Sequence, residues 1–223
     1  MFTSTKLHLT IYTLTGIWCL LLIPNIHYAQ TQGAALEEGQ GLVAAHAFFL
    51  TSVNNEKNFT SKANLYGGGI NLIVGRKLEL VAQLGKQNNE RRRDDTNIFV
   101  AAASWYIQKK PTHPTILALE GSFQRNQNGG SVTELYAGGF SWYQNLYAKD
   151  NRRYLMAQLS PYLVFSTEGN AGGSPGIRFN LVGNFFPERS LVTLRFYYNR
   201  VFLQSVATGS SIGFSLNAAL IRY

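Results

Sequence analysis

The sequence predicts an all-β protein: an antiparallel up-and-down transmembrane β-barrel, with ten strands as the first reading. Three observations carry this. After residue 41 apolar residues recur with a period of two, in segments about ten residues long, the length a tilted strand needs to cross a membrane. Charged side chains are nearly absent from the middles of those segments. The connectors between them alternate long and short, as in barrels with short turns at one membrane face and longer loops at the other.

The chain opens with a stretch that reads as an export signal, residues 1–29. Lys6 supplies the positive charge, Leu9 to Ile23 the apolar run, Pro24 a break and Ala29 a small residue for cleavage before Gln30. The rival is an uncleaved anchor helix, but Thr10, Thr13, Thr15 and Gly16 dilute the run. Cys19 follows Ile17-Trp18, where a lipidation motif wants small residues, so no lipid anchor is expected. Residues 30–40 read as a short, disordered periplasmic lead-in and 41–223 as the barrel.

Beyond the leader no cysteine remains, which excludes disulfides and thiolate chemistry. The 20 basic and 12 acidic side chains, less Lys6, leave 31 charged residues with a net charge of +7. A basic balance can point to nucleic acid. Here the charge sits in connectors, so no nucleic-acid partner is expected.

Ten segments alternate near 41–51, 64–74, 77–85, 97–108, 115–124, 132–144, 153–166, 176–186, 190–199 and 210–223. Eight strands result if two ambiguous segments are loops. Leu78, Leu80, Ala82 and Leu84 oppose Glu79, Val81, Gln83 and Gly85, and Leu117, Leu119, Gly121 and Phe123 oppose Ala118, Glu120, Ser122 and Gln124. Likewise Ile177, Phe179 and Leu181 oppose Arg178, Asn180 and Val182, and Val192, Leu194 and Phe196 oppose Thr193, Arg195 and Tyr197. Segments 41–51 and 132–144 carry apolar or small residues on both faces. Residues 52–63, 86–96 and 200–209 read as long loops; Gly75-Arg76, Lys109–Pro114 and Pro187–Arg189 read as tight turns. Connector 145–152 breaks the rhythm, because it should be short and is not.

A secreted soluble barrel is the structural rival. It would wet its outer face with charge on every strand, whereas a membrane barrel excludes charge there, Arg or Lys at midplane costing about 2–4 kcal/mol. Inside the segments lie only Glu79, Glu120, Glu134, Arg178 and Arg195, and four of these oppose the apolar face. That places lipid outside and an interior polar network of Glu79, Glu120, Arg178 and Arg195 within. Aromatic residues cluster at segment ends. Trp105, Tyr106, Trp142, Tyr143, Tyr154, Phe185, Phe186 and Tyr223 fall at the lower interface; Phe48, Phe49, Tyr66, Phe123, Phe165, Tyr197 and Tyr198 fall at the upper one. Of these, Trp105, Tyr106, Trp142, Tyr143 and Tyr223 are the expected lower girdle.

This pattern over residues 41–223, ending in the strand Ser211 to Tyr223 with its C-terminal aromatic, resembles the small bacterial outer-membrane β-barrels of the OmpA/OmpX type and their relatives from Bacteroidota. The resemblance implies a porin-like outer-membrane protein of a Gram-negative envelope, with the last strand read by the barrel assembly machinery. Tyr223 departs from the pattern. It has the opposite parity to Ile212, Phe214, Leu216, Ala218 and Leu220, which a bulge near Ala218-Ala219 would reconcile.

Little here carries chemistry. His113 lies in a turn and His46 mid-strand, and neither sits in a readable Ser-His-acid arrangement. No metal or cofactor site is expected. Arg91, Arg92 and Arg93, between Glu90 and Asp94-Asp95, form either a solvated loop or a contact for lipopolysaccharide phosphates or an acidic partner. Asn58-Phe59-Thr60 matches a glycosylation pattern by chance, and Gly67-Gly68-Gly69 lacks the Lys-Ser/Thr of a phosphate loop and reads as room for close aromatic packing. The expectation is a non-enzymatic barrel with a plugged polar interior, presenting external loops for interaction or envelope integrity. Its partners would be outer-membrane lipid, lipopolysaccharide and an envelope protein. The alternatives are a narrow channel, an accessory subunit of an export or uptake complex, and a lipid-modifying enzyme built around His46.

Overall fold

A computed structural model describes residues 32–35, 41–56, 59–74, 77–89, 95–108, 114–150, 152–167, 173–186, 190–202 and 208–222. The leader, Asn58, Arg91, Arg92, Arg93, His113 and Tyr223 lie outside the described residues. One helical turn, α1 (Gln32–Ala35), precedes ten strands. These are β1 (Gly41–Glu56), β2 (Phe59–Val74), β3 (Leu78–Asn89), β4 (Thr96–Gln108), β5 (Thr115–Asn128), β6 (Ser131–Lys149), β7 (Arg152–Ser166), β8 (Ser174–Phe185), β9 (Ser190–Phe202) and β10 (Thr208–Arg222). Each strand pairs antiparallel with its sequence neighbours, and β1 pairs with β10 to close the barrel, Gly41 opposite Arg222 and Asn55 opposite Thr208. Closure leaves no open edge, so every strand has a hydrogen-bonded neighbour on both sides, as a lipid environment demands.

Following paired residues once round the barrel runs Leu42, Ile73, Glu79, Ser104, Glu120, Gly139, Tyr162, Gly176, Val201, Gly209 and back to β1 at Asn54. The return is displaced from Leu42 to Asn54, a shear of 12. With ordinary strand spacings this tilts the strands by about 40° and sets a backbone radius of about 10 Å. That interior is narrow enough for side chains to fill.

Several expectations change. The polar stretch 52–63 is mostly strand, because β1 runs to Glu56 and β2 starts at Phe59. Its sequence lacks the period-two alternation of apolar residues that marks a half-buried strand, while ladder pairing still satisfies the backbone. Connector 145–152 is short after all, since β6 continues to Lys149. No bulge lies near Ala218-Ala219, where the pairing of β10 with β1 and β9 runs unbroken. Irregularities occur instead on β4, between Tyr106 and Gln108, and twice between β6 and β7, which leave Leu146 and then Tyr154 unpaired.

The alternation sorts the two faces. Outward stand Ile70, Leu72, Leu84, Leu119, Phe140, Leu163, Phe179, Phe196, Ile212, Phe214 and Leu216. Among the described residues, outward charges on the strands lie toward their ends: Lys62, Lys86, Arg125, Glu134 and Arg200 above, Lys149 and Arg152 below, with Lys77 in the turn before β3. The ambiguous β1 resolves with Leu42, Ala44, His46, Phe48 and Leu50 inside.

Trp105 and Trp142 face outward at the lower rim, but Tyr106 and Tyr143 are fully buried in the lumen. They are not part of the girdle. Adjacent strand residues point to opposite faces, so each Trp-Tyr pair sends its indole to lipid and its phenol inward. Phe48 and Tyr197 are likewise inside while Phe49 and Tyr198 face out.

The lead-in is ordered in part. Ala34 and Ala35 of α1 are buried in the lower mouth of the barrel, among Leu42, Ile73, Ile116, Met156, Val182 and Leu191. Two further apolar clusters lie in the upper lumen, one of Phe48, Leu50, Leu65, Ile98, Val100 and Tyr197 and one of Leu135, Tyr162, Val164 and Val201. Between floor and ceiling lies a polar belt.

Candidate functional site

The belt is built by inward positions of all ten strands. Glu120 on β5 is its centre. It takes a salt bridge from Arg178 on β8, the Tyr143 hydroxyl at 3.0 Å and the Gln158 amide at 3.2 Å. Gln158 also donates to Ser141 at 3.0 Å and Ser160 at 2.9 Å, and its amide oxygen accepts from Asn180 at 2.5 Å. Four consecutive strands, β5 to β8, are thereby stitched together inside the lumen. Glu79 on β3 accepts from the Tyr106 hydroxyl at 2.6 Å and the Asn71 amide at 3.3 Å. The rings of Tyr106 and Tyr143 lie 6.2 Å apart, so one aromatic pair donates to both carboxylates.

Arg195 on β9 donates to Ser215 at 3.3 Å and lies 5.5 Å from the Tyr197 ring centre. Its charge is held by a hydroxyl and a π face rather than by a carboxylate contact. A third guanidinium, Arg153, is also buried and donates to the Ala34 carbonyl at 3.0 Å. Sequence alternation missed it. Counting back from Met156 puts Arg153 outside, but the unpaired Tyr154 shifts the parity and turns it in.

His46 pairs through Nε2 with the Gln83 amide oxygen at 3.1 Å, not with a serine hydroxyl or a carboxylate. Among the described residues no cluster of His, Cys, Asp or Glu could hold a metal ion. The belt's chemistry is pairing of buried polar groups with one another, which a low-dielectric interior favours; among the described residues Ser104 Oγ, Arg195 Nη2 and both side-chain polar atoms of Asn217 stay outside these pairs.

Glycines complete the filling. A Cβ on Gly67 would meet the Phe48 ring at 2.7 Å, and one on Gly213 would meet the Tyr197 hydroxyl at 2.3 Å. Gly67 of the glycine run therefore receives an inward ring. Gly176 is covered by Tyr162 in the same way.

Closed antiparallel topology, an unbroken apolar exterior and a polar interior define a transmembrane β-barrel of the outer-membrane class. Comparison with solved structures agrees on the fold. The chain is similar to the translocator domain of the autotransporter NalP from Neisseria meningitidis, at 11% identity over 96% of this chain and 97% of that one, with a TM-score of 0.52. It also matches the N-terminal barrel domain of Pseudomonas aeruginosa OprF, at 14% identity over 81% of this chain and 99% of that one, with a TM-score of 0.33. No family model matches the chain, and no curated protein matches it.

Proposed function

We propose that this chain is a non-conducting, non-enzymatic barrel of the bacterial outer membrane that presents its hairpin ends for interaction or envelope integrity. It would be exported by a cleaved leader. The end bearing both strand termini faces the periplasm and the β1–β2 hairpin faces outward. The observation that carries the reading is the filled lumen, in which the polar belt lies between the apolar floor with α1 and the two upper apolar clusters. An open channel needs a continuous wet path, and buried apolar clusters above and below the belt weigh against one. His46 spends Nε2 on the Gln83 amide rather than on a serine hydroxyl, which weighs against a lipid-modifying role.

Planar-bilayer recording of the purified, folded protein tests this. Silence at all voltages is expected. Stable unitary currents would instead make it a narrow channel.

A further inference from the structure

The lower rim between β6 and β7 carries a feature that the sealed lumen does not use. Two bulges face each other there, extruding Leu146 on β6 and Tyr154 on β7. Bulges at barrel rims re-aim side chains. Here they leave Leu146 53% and Tyr147 55% exposed and start a chain of rings. Tyr147 packs at a tilt against Tyr154 with ring centres 5.8 Å apart, Tyr154 meets Phe186 edge-on at 5.5 Å, and the Arg152 guanidinium lies 5.5 Å from the Phe186 ring centre.

Next to these rings, Lys149 and Arg152 stand directly opposite each other across the turn, both exposed. Like charges in that position repel. Among the described residues neither forms an ion pair, although Asp150 lies in the same turn. Asp150 adopts a φ of 50°, an uncommon conformation for a residue with a side chain. Two cations held together with neither paired to a carboxylate among the described residues, on the edge of a lipid-facing band, are what an anionic headgroup relieves.

We propose that Lys149, Arg152, Tyr147 and Tyr154 form a binding site for the phosphate of a membrane phospholipid. The two cations would hold the phosphate by charge-assisted hydrogen bonds. The tyrosine rings would pack on the glycerol region, and Leu146 would flank the acyl chain. This rests on the orientation proposed above, which puts the rim at the phospholipid leaflet rather than at the lipopolysaccharide one.

The test is native mass spectrometry of the full barrel released from detergent, titrated separately with phosphatidylglycerol, lipopolysaccharide and inorganic phosphate. One phosphatidylglycerol should be retained per barrel. Lys149→Gln with Arg152→Gln should weaken that retention by about tenfold or more, while Arg200→Gln at the other rim leaves it unchanged. A heat-modifiable gel shift confirms that each variant is folded; if the double variant does not fold, Lys149→Gln alone serves. Equal retention by wild type and variant overturns the site. Binding of inorganic phosphate without lipid reduces it to a simple anion contact and also overturns it. Preference for lipopolysaccharide at these residues would reverse the orientation and leave the sealed barrel standing.

Discussion

Arg153 on β7 donates to the backbone carbonyl of Ala34, 119 residues earlier in the chain, at 3.0 Å. The bond ties a four-residue helical turn into the mouth of the barrel and gives a buried guanidinium an acceptor. It exists because one unpaired residue, Tyr154, reverses the facing of the strand beneath it. The Arg153 carbonyl in turn accepts from Asn184 at 2.9 Å, so the clamp is itself anchored to β8.

Arg153→Met should release α1 while leaving the barrel folded. A hydrogen bond to a charged group is worth about 1.5–3 kcal/mol, enough to shift the segment from bound to largely free. Limited proteolysis of the variant should cut within residues 30–40, where the wild type resists.

Glu120→Gln removes the carboxylate facing Arg178 and leaves a buried guanidinium without its counter-charge. Breaking a buried pair from one side costs about 3–5 kcal/mol. Replacing both, as Glu120→Leu with Arg178→Met, should cost less than either single change. Urea midpoints in lipid vesicles, read by the gel shift of the folded band, give the comparison.

Glycine positions should divide by what an added methyl meets. At Gly139 a Cβ would lie 2.5 Å from the Pro161 carbonyl oxygen, whereas at Gly138 the nearest atom is 3.9 Å away. Gly139→Ala should destabilise by about 1–3 kcal/mol through overpacking, and Gly138→Ala should be nearly silent in the same urea assay.

Leu216 lies near the middle of the outward row of β10. Leu216→Arg should cost about 2–4 kcal/mol, the penalty for a cation at the bilayer midplane. An unchanged unfolding midpoint would place water, not lipid, against that face.

Much of this architecture was legible in the residues. Two-residue alternation reports a strand with unlike environments on its faces, so Glu79, Glu120, Arg178 and Arg195 could be assigned inward from their neighbours. Clustering of aromatics alone places Tyr106 and Tyr143 in the girdle, whereas their parity with Trp105 and Trp142 sends them in. Other contacts leave no local trace. His46 meets Gln83 from two strands away, a distance set by barrel radius and shear. Arg153 depends on a bulge, and bulges have no fixed residue signature. α1 is too short to show a period, and its burial is decided by the mouth that receives it.

The central claim is a barrel whose lumen is sealed on both sides of its polar belt, and cysteine accessibility tests it most directly. Ser141 is buried in the belt, bonded to Ser160 at 2.6 Å and Gln158 at 3.0 Å. A Ser141→Cys variant of the barrel in lipid vesicles, carrying no other thiol, should not react with a small water-soluble methanethiosulfonate reagent added to either side. Rapid modification in the folded barrel would show that water reaches the belt and would contradict the sealed lumen.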